Sequence, residues 1–339
     1  MDNPVRVAVI GVGSMGRNHA RVYHELEGAQ LIAVVDADQA RAEEVGRAFA
    51  VPAYRDYQQM LEQQRPEAVS VAVPTALHET VSLAALEAGA HILIEKPIAA
   101  TVEQGERLIR RARELNRKLM VGHVVRFNPA IQQLKRRLEA GELGRIFQVV
   151  CRRVGPFPTR IRDVGVVVDL ATHDLDLMRY LLGADPLRVY AETEHRIHTE
   201  LEDLVLALLR FPDGIAGALE VNWLTPTKVR EVLVLGEKGM FRVDDLSQDL
   251  YFYENALSPQ NLWLALQTLK GVGEGSMTRF ALQRYEPLKA ELSVFIQAIQ
   301  QDTPVPVGGE DGLASLRLAL ALVESGRTHR VISLSDDPE

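Results

Sequence analysis

Apolar positions in the first third of the chain change period repeatedly. Residues 5–10 form a short β-rich run, 18–26 have helical spacing, 31–35 are again extended, and 40–50 are helical. Residues 69–73, 78–88, 91–94, 102–115 and 118–121 continue as strand, helix, strand, helix and strand. Strands separated by helices at such intervals pair in parallel through right-handed crossovers. The pattern predicts an α/β fold whose N-terminal part is a doubly wound parallel sheet of the Rossmann type.

Past residue 122 the pattern changes. Helices over 129–140 and 168–182 precede long strands at 187–197, 203–211, 215–223, 229–235 and 240–243. The turn signals Phe211-Pro212-Asp213-Gly214 and Gly236-Glu237-Lys238-Gly239 suit antiparallel hairpins. Helices return at 286–301 and 311–325, and residues 255–280 carry no readable pattern. Two domains are expected: 1–122, binding a dinucleotide, and 123–339, an α+β domain with a large, mostly antiparallel open sheet. That sheet carries helices on one face, so its other face needs a cover. A homodimer or homotetramer through the open face is the expectation.

Composition narrows the class. A chain of 339 residues that is 47% hydrophobic can bury two cores. No apolar run approaches the roughly 18 residues that a membrane-spanning helix needs, and the Met1-Asp2-Asn3-Pro4 start lacks a basic leader. The lone Cys151 leaves no internal disulfide and fits a reducing compartment. The formal charge of −8 disfavours nucleic acid. A soluble cytoplasmic protein without membrane or nucleic-acid partners is expected.

Gly11-Val12-Gly13-Ser14-Met15-Gly16 follows the first strand and opens the first helix. Gly11 suits the tight turn, Gly13 a close approach to a pyrophosphate, and Gly16 close helix–strand packing, with the anion on the helix N-terminus beside Ser14 and Met15. Asp36 ends the second strand, where a carboxylate accepts from a ribose 2′-hydroxyl and repels a 2′-phosphate. NAD is therefore expected rather than NADP. The alternative is that Asp36 merely caps the next helix. Pro74, Thr75 and His78 follow the third strand and are candidates for the nicotinamide half of the cofactor. His78 could equally be a first-turn helix residue with no ligand.

Strand 91–94 delivers Glu95 and Lys96 into the same crevice, and Pro97 stops the strand there. An ammonium so placed can hydrogen-bond a substrate hydroxyl and favour its alkoxide; the alternative is an ion pair at a sheet edge. Asp169 and His173 are i and i+4 on a helix, a spacing that suits a carboxylate-tuned general base. A metal would need recruits such as His123, His195 or His198, and none is expected. Without wider context, a surface Asp–His pair is the simpler reading of that fragment.

With these glycines, Glu95-Lys96-Pro97 and Asp169–His173 in this order, the chain resembles the Gfo/Idh/MocA oxidoreductase family along nearly its whole length. Pro287, Phe295 and Gly309-Glu310-Asp311-Gly312 belong to the resemblance. It implies a Rossmann domain joined to an open-sheet α+β domain, acting as an NAD-dependent dehydrogenase of sugars or cyclitols. The family's catalytic lysine, aspartate and histidine fall on Lys96, Asp169 and His173, with no departure from the motifs. A narrower similarity in Arg126-Phe127-Asn128-Pro129 and in residues 153–165 is to the branch that oxidises UDP-N-acetylglucosamine, or its uronate, at C3. From Arg145 to Arg162 there are five arginines and no acid, an island that suits a diphosphate. Alternatively they decorate a strand and a solvated loop. The resemblance implies that Lys96, His173, Arg126, Asn128, Arg160 and Arg162 bind substrate. A dehydrogenase of inositol, a free sugar or a sugar acid is the rival of the same class. A non-catalytic NAD-binding sensor or scaffold is the rival of another class.

Overall fold

The computed structural model describes residues 3–158, 164–197, 200–257 and 272–334. Two compact units make up the chain: Met1–Phe127 with Glu286–Leu318, and Asn128–Tyr285 with Ala319–Glu339.

The first unit runs β1 (Val5–Ile10), α1 (Ser14–Glu25), β2 (Ala29–Val35), α2 (Gln39–Phe49), β3 (Ala53–Tyr54), α3 (Tyr57–Gln64), β4 (Ala68–Val71), α4 (His78–Glu87), β5 (His91–Glu95), α5 (Val102–Glu114) and β6 (Leu119–Gly122). The strands pair in parallel in the order β3-β2-β1-β4-β5-β6. Helices on both faces explain why β1, β4 and β5 read as continuous apolar runs: every residue of β4 is buried. The order reverses beside β1, and ligands of such sheets bind at the carboxyl ends of the strands flanking that point. α3 escapes the sequence pattern because only Met60 and Leu61 of its eight residues are buried.

The second unit comprises α6 (Pro129–Glu139), β7 (Ile146–Val154), α7 (Thr172–Leu182), β8 (Arg188–Glu194), β9 (Leu204–Arg210), β10 (Ala216–Asn222), β11 (Val229–Gly236), β12 (Gly239–Asp244), β13 (Asp249–Leu257), β14 (Val272–Arg279) and β15 (Ile332–Ser333). Its sheet has the order β14-β13-β12-β11-β7-β10-β9-β8-β15. Only β7 and β10 pair in parallel; the other neighbours are antiparallel. β7 lies at the middle of this sheet and is not among the strands named from the pattern. α6 and α7 pack on one face. On β9, Val205, Ala207 and Leu209 are buried, whereas Leu206 is 50% and Leu208 62% exposed. The register carries Leu208 through Ala218 and Val150 to Leu233, an apolar row across the uncovered face.

One boundary near residue 122 is the expectation from the pattern, yet Glu286–Leu318 belongs with the first unit. Two late helices explain this. α8 (Pro287–Gln300) buries Leu288, Leu292, Phe295 and Ile296, packing against α1 and β1. α9 (Gly309–Thr328) begins against α5 and β6: a Cβ on Gly309 would come within 2.6 Å of Ile109, and one on Gly312 within 2.7 Å of Val121.

Candidate functional site

The glycine loop is shaped by contact with its own unit. Gly11 has φ +85°, and a Cβ there would lie 2.6 Å from the Ala72 carbonyl oxygen; one on Gly16 would lie 1.7 Å from Gly11 O. A Cβ on Gly13 would meet none of the described residues, its chain neighbours aside, within 4 Å. Gly13 is the N-cap of α1 and offers no side-chain bond, whereas Asp38, Asp56 and Thr101 cap α2, α3 and α5 with theirs. Among the described residues no side chain caps the start of α1, which leaves its first N–H groups available to an anion.

Asp36 completes this cradle. Its Oδ2 accepts from Val12 N at 3.0 Å and its Oδ1 from Asp38 N at 3.0 Å, with Arg41 Nη1 at 3.3 Å from both oxygens. The helix cap is Asp38, which accepts from Arg41 N, so Asp36 is not the cap of α2. These residues fit a dinucleotide: Gly11, Gly13, Ser14, Met15 and Gly16 would hold the pyrophosphate, and Asp36 the ribose.

Pro74 leads from β4 into a short 3-10 turn, Thr75–Leu77. His78 begins α4 and is buried, with ring nitrogens 2.8 Å from Pro97 O and 3.0 Å from Val73 O. The ring thus braces the end of β4 against the turn after β5, and burial pushes its pKa down. Glu95 ends β5 and Lys96 follows it, and the Lys96–Pro97 peptide is cis. The Glu95 carboxylate lies over Gly122, where a Cβ would come within 3.1 Å, and is bonded by His19 Nε2 at 2.9 Å. Burial raises the Glu95 pKa, but the His19 bond and the nearby Lys96 and His78 outweigh it and hold the carboxyl below its usual range. Arg126, nearly buried, donates from Nη2 to Asp311 at 3.0 Å.

In the second unit, Asp169 lies in a π-helical turn, Val167–Ala171, that runs directly into α7 and His173. The expected single helix is therefore two geometries in series. Glu202 anchors its start: Oε1 accepts from Val167 N at 3.2 Å, and a Cβ on Gly165 would collide with that carboxylate at 2.1 Å. Beside His173, the buried Asp174 accepts from Arg153 Nε at 2.8 Å, and Arg153 Nη1 lies 3.8 Å from Asp245. Burial pushes the Asp174 pKa up against the opposing guanidinium. Asn128 caps α6 through Ala130 N and donates to Asp245 at 2.6 Å. Arg230 donates to Val154 O and Val229 O at 2.7 and 2.8 Å. Burial, then the charge of Arg153, bring its pKa down to about 10, with Asp169 among the carboxylates opposing the shift.

The described arginines of the island, Arg145, Arg152 and Arg153, have separate acidic partners. β7 alternation sends Arg152 to Glu220 at 2.8 Å and Arg153 to Asp174, while Arg145 lies 3.8 Å from Glu237. Arg160, Arg162 and His198 fall outside the described residues. Sequence reasoning missed His19, Asp174 and Arg230, and it put Arg153 in the diphosphate island rather than in a buried ion pair with Asp174. The available signal was two polar side chains on inward faces: His19, one turn before Tyr23 on α1, and Arg153, two residues after Cys151 on β7.

Comparison with known proteins gives a consistent picture. The model of an oxidoreductase family with an NAD-binding Rossmann fold, GFO_IDH_MocA, matches residues 5–123, and that of the GFO/IDH/MocA C-terminal domain matches 131–242. The chain is 32% identical to a UDP-N-acetylglucosamine 3-dehydrogenase of Acidithiobacillus ferrooxidans over 93% of its length and 95% of that protein. A solved structure of that enzyme superposes with a TM-score of 0.83 over 96% of this chain and 99% of the other. This chain is 27% identical to a scyllo-inositol 2-dehydrogenase (NAD(+)) of Bacillus subtilis, over 98% of its own length and 97% of that protein. Among the described residues, no helix is long and apolar enough to cross a membrane.

Proposed function

The chain belongs to the Gfo/Idh/MocA oxidoreductase family and carries its NAD-binding Rossmann fold, and from that premise we propose that it oxidises C3 of a UDP-N-acetylhexosamine, or of its uronate, to the ketone. The uncapped start of α1, tied to Asp36 through Val12 N, is the observation that carries the cofactor half of this reading. For the substrate half, support comes from 32% identity to a UDP-N-acetylglucosamine 3-dehydrogenase, against 27% to an inositol dehydrogenase.

NAD, when bound, supplies the hydride acceptor. His173 takes the hydroxyl proton, Asp169 orients and charges the imidazole, and Lys96 stabilises the negative charge developing on the oxygen. Arg160 and Arg162 hold the diphosphate, joined by Arg126 and Asn128 at the sugar. The bonds of Arg126 to Asp311 and of Asn128 to Asp245 hold these two side chains in place for that contact.

The open face of the second sheet is covered by a second copy of the chain. Its apolar row of Leu208, Ala218, Val150 and Leu233 lies beside a charged row in which Arg152 stands between Glu220 and Glu231. Leu208→Glu should convert the oligomer to monomer in light scattering; an unchanged mass refutes this assembly.

The test of function is a panel of nucleotide sugars, free sugars and inositols scanned for NADH absorbance, with a ketone-trapping reagent present. A signal confined to UDP-sugars, with a thermal shift by UDP itself, is expected. Turnover of inositol alone, with no shift by UDP, would favour the rival.

A further inference from the structure

Three buried polar side chains stand behind the Glu95–Lys96 step, and none has been given a function above. Tyr23 and His19 project from α1 and Ser70 from β4, and all three are fully buried. Tyr23 Oη lies 2.9 Å from Ser70 Oγ, Ser70 Oγ 3.2 Å from His19 Nδ1, and His19 Nε2 2.9 Å from Glu95 Oε1. An ionised carboxylate only accepts, so Nε2 carries the proton. With a neutral ring, Nδ1 then accepts from the Ser70 hydroxyl, and Ser70 accepts from Tyr23, whose phenol burial keeps protonated. Every donor finds an acceptor in this one direction. Buried polar groups are costly unless so satisfied, and an apolar trio would pack the same space without that risk. The chain of bonds ends at a carboxylate within electrostatic reach of Lys96, and it hangs from the helix whose first turn forms the phosphate cradle.

We propose that His19 is a positioning residue: its bond to Glu95 fixes that carboxylate beside Lys96, so that the ammonium is presented to substrate in one orientation. This rests on the reading above that Lys96 stabilises the reacting oxygen. Besides His19, the groups facing Glu95 are Lys96, His78 and Tyr23.

The experiment is a double-mutant cycle of His19→Leu and Glu95→Gln in the full chain. Each single variant should lower kcat roughly ten- to hundredfold through misplacement of the ammonium, with the NAD dissociation constant within about threefold of wild type. The double variant should fall no further than Glu95→Gln alone, and His19→Gln, whose amide can still donate to Glu95, should recover most of the loss. Additive losses, or equal losses in His19→Gln and His19→Leu, overturn the proposal. If His19→Leu does not fold, His19→Asn, too short to reach Glu95, replaces it. A substrate-free arm follows the Glu95 carboxyl by 13C NMR titration: its midpoint should rise by about one pH unit or more in the His19 variant. An unmoved midpoint overturns the proposal even if no sugar is turned over, in which case the functional reading fails separately.

Discussion

Asp36 and Asp174 are both buried carboxylates, and the two units hold them by opposite means. Asp36 is gripped chiefly by main-chain N–H groups of Val12 and Asp38, which any sequence with the same loop would supply, with the half-exposed Arg41 guanidinium beside them at 3.3 Å. Asp174, on α7, is bonded by the guanidinium of Arg153 from β7, with the charge of Arg230 nearby. A site built on backbone tolerates loss of a side chain as a local defect. A site built on a buried ion pair leaves an uncompensated charge when either partner goes.

The sharpest division concerns chemistry against binding in the first unit. Lys96→Ala should reduce kcat roughly thousandfold or more, since it removes a charge acting on the developing oxyanion. Its NAD affinity should stay within a few-fold, because the cradle is main chain. Fluorescence titration with stopped-flow turnover measures both, and near wild-type turnover would refute the assignment.

Asp174→Ala should cost about 3–5 kcal/mol of stability by denaturant unfolding, by stranding Arg153. Replacing both partners, as Arg153→Met with Asp174→Leu, should recover most of it. A single-variant cost under about 1 kcal/mol would erase the contrast with Asp36. Asp36→Ala should weaken NAD roughly tenfold, narrow its preference over NADP and cost about 1–2 kcal/mol of stability by stranding the Val12 N–H, less than Asp174→Ala.

The smallest effect is a pH slope. His91 accepts from Lys118 N at 2.9 Å, and burial, then Arg117 and Lys118, push its pKa down to about 4. The unfolded chain, with a histidine near its ordinary value, binds a proton that the fold refuses. Stability from this group is therefore complete above about pH 6.5 and is lost as pH falls toward 4. The fall in melting temperature between pH 7 and 5 should be shallower in His91→Gln; an equal fall removes His91 from the account.

What could be read in advance follows the same division. The glycine loop, Asp36 and Glu95-Lys96-Pro97 sit at strand ends and are defined by neighbours in sequence, so turn chemistry exposes them. α3 was silent because its residues are mostly polar. β7 was obscured by arginines whose partners lie on other elements. Arg153 and Asp174 are 21 residues apart and His19 and Glu95 76 apart, so those pairs depend on register between elements. No local periodicity encodes that register.

The most direct measurement uses UDP-N-acetylglucosamine carrying deuterium at C3, incubated with NAD and the enzyme, with the reduced cofactor analysed by mass spectrometry. The account predicts NADH heavier by one deuterium and turnover slowed relative to the protiated sugar. Unlabelled NADH, or reduction that requires inositol instead, would contradict it.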